Sequence, residues 1–178
     1  MNMRCILKLL GVVVLFAAFS VAAGEIKGLG VAVRGGTSLN DRTETFRQVM
    51  GAVEYDLPWR WDLGRGFQLQ SRGDLGAGWL KGERQDGFVG TLGPSALLTR
   101  DDFPLSFETG SSPTYISRHH FGNRDFGGPF QFTTHAGLNW DVTGHVRFGY
   151  RYQHMSNAGI YRRNPGVNIH MLSLSYRF

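Results

Sequence analysis

A histidine and a serine two positions apart near the C-terminal end are the residues of this chain best suited to chemistry. His154 and Ser156 continue the even register of a run whose even positions are apolar or aromatic: Val146, Phe148, Tyr150 and Tyr152. Because residues two apart in a strand point to the same face, both side chains are predicted to share that face. An imidazole there can take the hydroxyl proton while the oxygen attacks a carbonyl carbon. The alternative interpretation is that the pair only marks where a strand leaves an apolar layer.

The alternation that positions this pair recurs along much of the chain. In the last segment Leu172, Leu174 and Tyr176 alternate with Ser173, Ser175 and Arg177. Alternation of period two predicts strands with one apolar and one polar face. Four segments show it clearly, and four more show it weakly: Phe67–Trp79, Phe130–Trp140, 146–153 and 170–178, then Leu29–Gly35, Phe46–Leu57, Phe88–Leu98 and Leu105–Ile116. The sequence therefore predicts an all-β chain of about eight strands.

The arrangement predicted for these strands is an eight-stranded antiparallel transmembrane β-barrel of the outer membrane. No apolar stretch after Ala23 is long enough for a spanning helix. A closed barrel instead turns its apolar face to lipid and its polar face to the lumen, and the terminal aromatic Phe178 and the aromatic strand ends favour it. A lipocalin-like soluble barrel, with its apolar face inward, is the alternative. In the membrane barrel, charged residues are predicted to pair inside the lumen: Arg72, Asp74, Glu108, Arg147 and Arg151.

The N-terminal segment is predicted to be a signal peptide. Residues 1–23 combine Arg4 and Lys8 with an apolar run that ends in small residues. The single domain is then predicted to span 24–178, without Cys5, the only cysteine. Without Arg4 and Lys8, 17 basic residues face 14 acidic ones, a mild balance that does not indicate nucleic-acid binding. The expected localisation is the outer membrane of a Gram-negative bacterium.

A longer motif around the pair resembles the lipid A 3-O-deacylase (PagL) family. It comprises His154-Met155-Ser156-Asn157-Ala158-Gly159, Asn164-Pro165-Gly166 and the terminal strand, supported by Phe130-Gln131-Phe132. The resemblance implies hydrolysis of the acyl ester at the 3-position of lipid A, in the outer leaflet, with lipopolysaccharide as substrate. It also implies roles for the residues: Ser156 as nucleophile, His154 as general base, the Ala158 and Gly159 amides with the Asn164 side chain as an oxyanion hole, and Asn157 as a supporting residue.

One position departs from the family pattern. Members generally place an acid on the last strand to orient the histidine, and the matching position here is Asn168. An amide can hold the imidazole tautomer but cannot stabilise the imidazolium by charge. The prediction is a Ser-His-Asn arrangement, with a dyad as the alternative. His170 is a secondary candidate, expected to be a strand residue near the site.

The remaining polar residues suggest weaker hypotheses. Arg162 and Arg163, in a long loop beside the site, are candidates for contacts with lipid A phosphates. His119, His120 and His135 have poor spacing for a metal, so neither a metal nor a cofactor is expected. Besides the deacylase, two function classes stay open: a non-enzymatic adhesin or structural barrel, and a lipid A acyltransferase. The sequence leaves a homodimer open as well.

Overall fold

The computed structural model describes residues 28–39 and 44–178, which form ten strands. Eight of them build one barrel: β1 (Leu29–Thr37), β2 (Phe46–Gly64), β3 (Phe67–Gly82), β4 (Gln85–Arg100), β5 (Phe103–Ile116), β8 (Phe130–Asp141), β9 (Val146–Ser156) and β10 (Val167–Arg177). Two short strands, β6 (His120–Phe121) and β7 (Arg124–Asp125), pair as a separate hairpin. Among these residues no helix is long and apolar enough to cross a membrane. The predicted signal peptide and its cleavage point lie outside the described residues.

The eight strands close into an antiparallel barrel. Each strand pairs with its sequence neighbour in the barrel, and β1 closes the ring by pairing with β10. Two long connections, 117–129 and 157–166, lie at one end, which we call the loop end; among the described residues the other end has short turns. This closed eight-stranded fold confirms the fold class predicted from the alternation.

Strand β2 is longer than predicted. The sequence predicted this strand over Phe46–Leu57; Pro58, which follows, cannot donate to a strand ladder. The pairing with β3 shifts its register between Asp56 and Arg60, and β2 then continues to Gly64. A bulge of this kind accommodates the proline without ending the strand.

The distribution of side chains between the two faces decides the type of barrel. Phe148 and Tyr150 are 51% and 43% exposed, whereas Arg72 and Arg147 are 2% and 3% exposed. The aromatic residues of the strands therefore face outward and the charged residues face the lumen. This is the arrangement of a membrane barrel, and it excludes the lipocalin-like alternative.

Buried charges in the lumen are paired. Arg34 binds Glu54 at 2.6 Å and also contacts Asp74. On the opposite wall, Arg151 binds Glu108 at 2.6 Å. Leaving one of these charges unpaired would cost several kcal/mol, about 3–5 by the behaviour of buried pairs in general. The predicted lumen network is confirmed, with Arg34 as a member that the alternation had not singled out.

Toward the loop end the interior of the barrel is apolar, whereas the sequence analysis predicted a polar lumen. Phe46 contacts the rings of Phe121 and Phe126 edge to face, each with centroids 5.6 Å apart. Eleven buried residues form this apolar plug: Phe46, Met50, Leu80, Val89, Ile116, Phe121, Phe126, Met155, Val167, Ile169 and Met171. Because Phe121 and Phe126 belong to or directly follow the β6–β7 hairpin, the plug fixes that hairpin over the loop end of the barrel.

Candidate active site

His154 and Asn168 lie opposite each other on neighbouring strands. The register of β9 and β10 pairs the two residues directly, and His154 Nδ1 lies 2.7 Å from Asn168 Oδ1. Both residues are exposed on the outward face of the barrel. The structure thus brings together two of the three residues predicted from the sequence as a catalytic set.

This contact defines which ring nitrogen of His154 can act as a base. The Asn168 oxygen accepts a hydrogen bond, so Nδ1 carries the proton. A neutral imidazole protonated at Nδ1 keeps its lone pair on Nε2, the nitrogen on the other side of the ring. Nε2 of His154 is therefore the atom available to take a proton from a hydroxyl.

Ser156 is the last residue of β9, on the same outward face as His154. It is partly buried and pairs with Phe132 of β8 in the strand register. Because the two residues are two apart in one strand, their side chains share a face, with Ser156 nearer the loop end. The serine thus sits where the regular strand stops and the 157–166 connection begins.

The backbone of Gly166 lies against the His154 ring. A side-chain carbon at position 166 would approach Cε1 of His154 to 2.9 Å and Nε2 to 3.4 Å. The φ of Gly166 is +61°, a left-handed conformation that favours glycine. The absence of a side chain therefore keeps the Nε2 edge of the imidazole accessible while the loop passes over it.

Asn157 organises the connection that follows the serine. It is fully buried, and its Nδ2 donates to the carbonyls of Phe126 at 2.8 Å and Arg163 at 2.6 Å. Its backbone N–H donates to Asn164 Oδ1 at 3.0 Å. The Asn157 side chain thus connects the start of the 157–166 connection to the residue after the β6–β7 hairpin and to Arg163.

The turn at Ala158 and Gly159 is also held by Asn157. The two residues have φ values of +52° and +84°, and the Gly159 N–H donates to Asn157 Oδ1 at 2.9 Å. The Gly159 amide, predicted as an oxyanion donor, is therefore engaged in holding the turn. Asn164 is an exposed residue and accepts from the Asn157 N–H through its oxygen, so this bond does not use its side-chain amide N–H groups.

The two loop arginines differ in their contacts. Arg163 lies 3.6 Å from Asp125 of β7, with its side chain 71% exposed. Arg162 is exposed on the same loop. Both arginines are thus at the surface of the loop end, on the connection that joins β9 to β10, and neither fills the lumen.

Some residues at the site escaped the sequence analysis. Arg124 donates from Nη2 to the Gly166 carbonyl at 2.9 Å, which fixes the residue that covers His154. Phe126 supplies the carbonyl that holds Asn157. They lie 42 and 31 residues from their partners, so no local pattern could have indicated these contacts.

The other histidines lie apart from the His154–Asn168 pair. His170 faces outward two residues beyond Asn168, and its Nδ1 lies 2.7 Å from the Tyr150 hydroxyl. His135 is buried in the lumen, 3.3 Å from Glu108. His119 and His120 contact Asp125 on the β6–β7 hairpin. His135 therefore does not belong to the same cluster of side chains as His119 and His120.

Comparisons with known proteins found similar sequences and similar solved folds. The family model for lipid A 3-O-deacylase (PagL) matches residues 47–177. A lipid A deacylase PagL from Bordetella bronchiseptica is 31% identical, over 96% of this chain and 95% of the relative. A crystal structure of the outer membrane enzyme PagL superposes with a TM-score of 0.72 at 17% identity, covering 84% of this chain and 99% of the other. The N-terminal β-barrel domain of Pseudomonas aeruginosa OprF superposes with a TM-score of 0.53 at 13% identity, covering 85% and 98%.

Proposed function

The chain belongs to the lipid A 3-O-deacylase (PagL) family. We propose that it hydrolyses the acyl ester at the 3-position of lipid A in the outer leaflet of the outer membrane. The observation that carries the proposal is the His154–Asn168 contact of 2.7 Å on the outward face, next to Ser156. A base and a hydroxyl on that face are accessible to a lipid ester within the membrane. The same groups would be inaccessible to lipid if they faced the lumen.

The reaction proceeds through an acyl-enzyme. Ser156 Oγ attacks the ester carbonyl while His154 Nε2 takes its proton, and the protonated His154 then gives that proton to the departing sugar oxygen. His154 next deprotonates a water molecule, whose oxygen attacks the acyl-serine carbonyl. The bond to Ser156 Oγ breaks, the fatty acid is released, and His154 returns the proton to Ser156 Oγ. Asn168 accepts from Nδ1 throughout and keeps the ring in the productive orientation.

The oxyanion formed in each step needs hydrogen-bond donors at the loop end. We assign this role to the Ala158 N–H and the Asn164 side-chain amide, since the Gly159 N–H is bound to Asn157. Each preorganised donor contributes about 3 kcal/mol to stabilisation of the transition state. Arg162 and Arg163 are proposed to contact the phosphates of lipid A, because their exposed guanidinium groups lie on the same loop.

The test of the function is mass spectrometry of lipid A from Gram-negative cells that express the chain. We expect loss of the mass of one hydroxyacyl chain relative to cells with an empty vector. Unchanged lipid A would contradict the proposal and favour a non-enzymatic barrel, and a gained acyl chain would indicate transfer instead of hydrolysis.

Replacement of Asn168 tests its role beside His154. We expect Asn168→Ala to lower kcat about 10- to 100-fold, because the imidazole loses the acceptor that orients it. Asn168→Asp keeps an oxygen at the same place and adds a charge that stabilises the imidazolium, so we expect at least the wild-type rate. Rates are measured on purified lipid A in detergent micelles. If Asn168→Ala keeps the wild-type rate, the third member is superfluous and the site is a dyad.

A further inference from the structure

The β6–β7 hairpin carries a cluster of metal-binding groups outside the active site. His119 Nδ1 lies 3.4 Å from Asp125 Oδ1, and His120 Nε2 lies 3.1 Å from Asp125 Oδ2. The two imidazole rings are adjacent, with centroids 4.5 Å apart. One ligand atom from each of the three residues lies within 4.8 Å of the others. The proposed deacylase mechanism uses none of these side chains.

From this convergence we propose that His119, His120 and Asp125 form a binding site for a divalent transition-metal ion of the zinc class. Zinc bonds of about 2.0–2.1 Å to nitrogen and oxygen place tetrahedral neighbours about 3.3 Å apart. Each imidazole lies near that spacing from one oxygen of Asp125, His119 at 3.4 Å from Oδ1 and His120 at 3.1 Å from Oδ2, so the two carboxylate oxygens together face both rings. Two imidazoles and one carboxylate suit zinc, nickel or cobalt, whereas magnesium and calcium prefer sites made of oxygen ligands alone.

The ligands are held in place before any ion binds. His120 and Asp125 are paired in the hairpin register, and the Phe126 N–H donates to the His119 carbonyl at 2.8 Å. Phe121 and Phe126 anchor the hairpin in the apolar plug and are both fully buried. A site with a rigid support loses less conformational entropy when an ion binds.

The carboxylate is fixed by the backbone on one side and open to solvent on the other. Asp125 Oδ1 accepts a hydrogen bond from the Gly127 N–H at 2.9 Å. Its side chain is 15% exposed and that of His120 is 60% exposed, so water can complete the coordination from the solvent side.

The proposed metal site lies on the hairpin that contacts the 157–166 connection, which follows Ser156. The carbonyl of Phe126, directly after Asp125, accepts from Asn157, and the Arg163 side chain lies 3.6 Å from Asp125. An ion held by three residues of the hairpin would make this support more rigid. The binding itself does not depend on the proposed deacylase activity, so the two proposals fail separately.

The experiment is a titration of the untagged full chain, folded in detergent, with zinc by calorimetry and with cobalt by visible absorption. We expect one ion per chain and the absorption bands of nitrogen- and oxygen-bound cobalt. Changes in the outer shell of a metal site alone weaken binding about 10- to 100-fold, so His120→Ala and Asp125→Asn should each weaken it at least tenfold.

The matched control is His145→Ala, because His145 is an exposed histidine bonded to the Arg177 carbonyl at the opposite end of the barrel. This variant should bind zinc as the wild type does. Folding is checked by heat-modifiable migration on gels; should Asp125→Asn not fold, His120→Ala decides, because it removes only an exposed ring. The proposal is overturned if the wild type binds no ion, or if His120→Ala binds as tightly as the wild type.

Discussion

The Ser156→Ala variant is expected to lose lipid A deacylation by about 10⁴- to 10⁶-fold, as in other serine hydrolases that lose their nucleophile. Without the hydroxyl no acyl-enzyme forms, and the neighbouring donors can only accelerate attack by water. Ser156 is the last residue of β9 and belongs to its outward-facing register, so its side chain does not fill the lumen. Folding should therefore be unaffected. The measurement is the released fatty acid from purified lipid A, with mass spectrometry of the remaining glycolipid.

Ser111→Ala is the control for this variant. Ser111 is an exposed, outward-facing serine of β5, two strands away from β9, and its hydroxyl lies 3.3 Å from that of Thr134. Its replacement removes the same atom from the same side of the barrel, and the rate should stay near that of the wild type. A Ser156→Ala enzyme that still releases fatty acid at the wild-type rate would require another nucleophile and would refute the assignment.

The His154→Ala variant is expected to show a loss of similar size, about 10⁴-fold or more, because the serine then lacks the base that takes its proton. The imidazole is exposed, and the backbone of Gly166 lies close to its Nε2 edge. Its removal should leave a space open to the surface. We therefore expect imidazole added to the assay to restore part of the activity, an effect that a purely structural role would not produce.

His170→Ala provides the comparison for the histidine. His154 on β9 and His170 on β10 both face outward, but His170 contacts the Tyr150 hydroxyl, whereas His154 contacts Asn168. Its replacement should change the rate by no more than a few-fold. If His170→Ala abolishes activity and His154→Ala does not, the base must be reassigned to His170.

Alternation along the sequence predicted the strands and which residues share a face, and the terminal Phe178 with the aromatic strand ends indicated that the apolar face points outward. With one side chain in two pointing to lipid, aromatic residues such as Phe148 and Tyr150 had to occupy the same face as His154 and Ser156. The same parity placed Asn168 on that face. Register then follows from closure, because a slip by one residue would turn every lipid-facing side chain into the lumen. The family itself was also indicated by the short motif around Ser156.

Contacts between distant segments could only be found in the tertiary structure. Asn157 was recognised as a supporting residue, but its partner carbonyl at Phe126 is 31 residues away in the chain. The engagement of the Gly159 amide depends on how Asn157 turns its side chain. Likewise, the sequence grouped His119 and His120 with His135, whereas the hairpin brings Asp125 to them and the lumen takes His135.

There is a physical reason why the sequence predicted the strands but not the contacts between distant segments. Strand periodicity is a local property: each residue's preference for lipid or lumen is set by its own side chain, so it can be read along the chain. Loops at the rim lack such a period, and their conformations are selected by hydrogen bonds between segments that only the closed barrel brings together. The sequence by itself therefore determined the wall and the face from which the candidate catalytic pair projects, while the tertiary structure decided which loop atoms surround that pair.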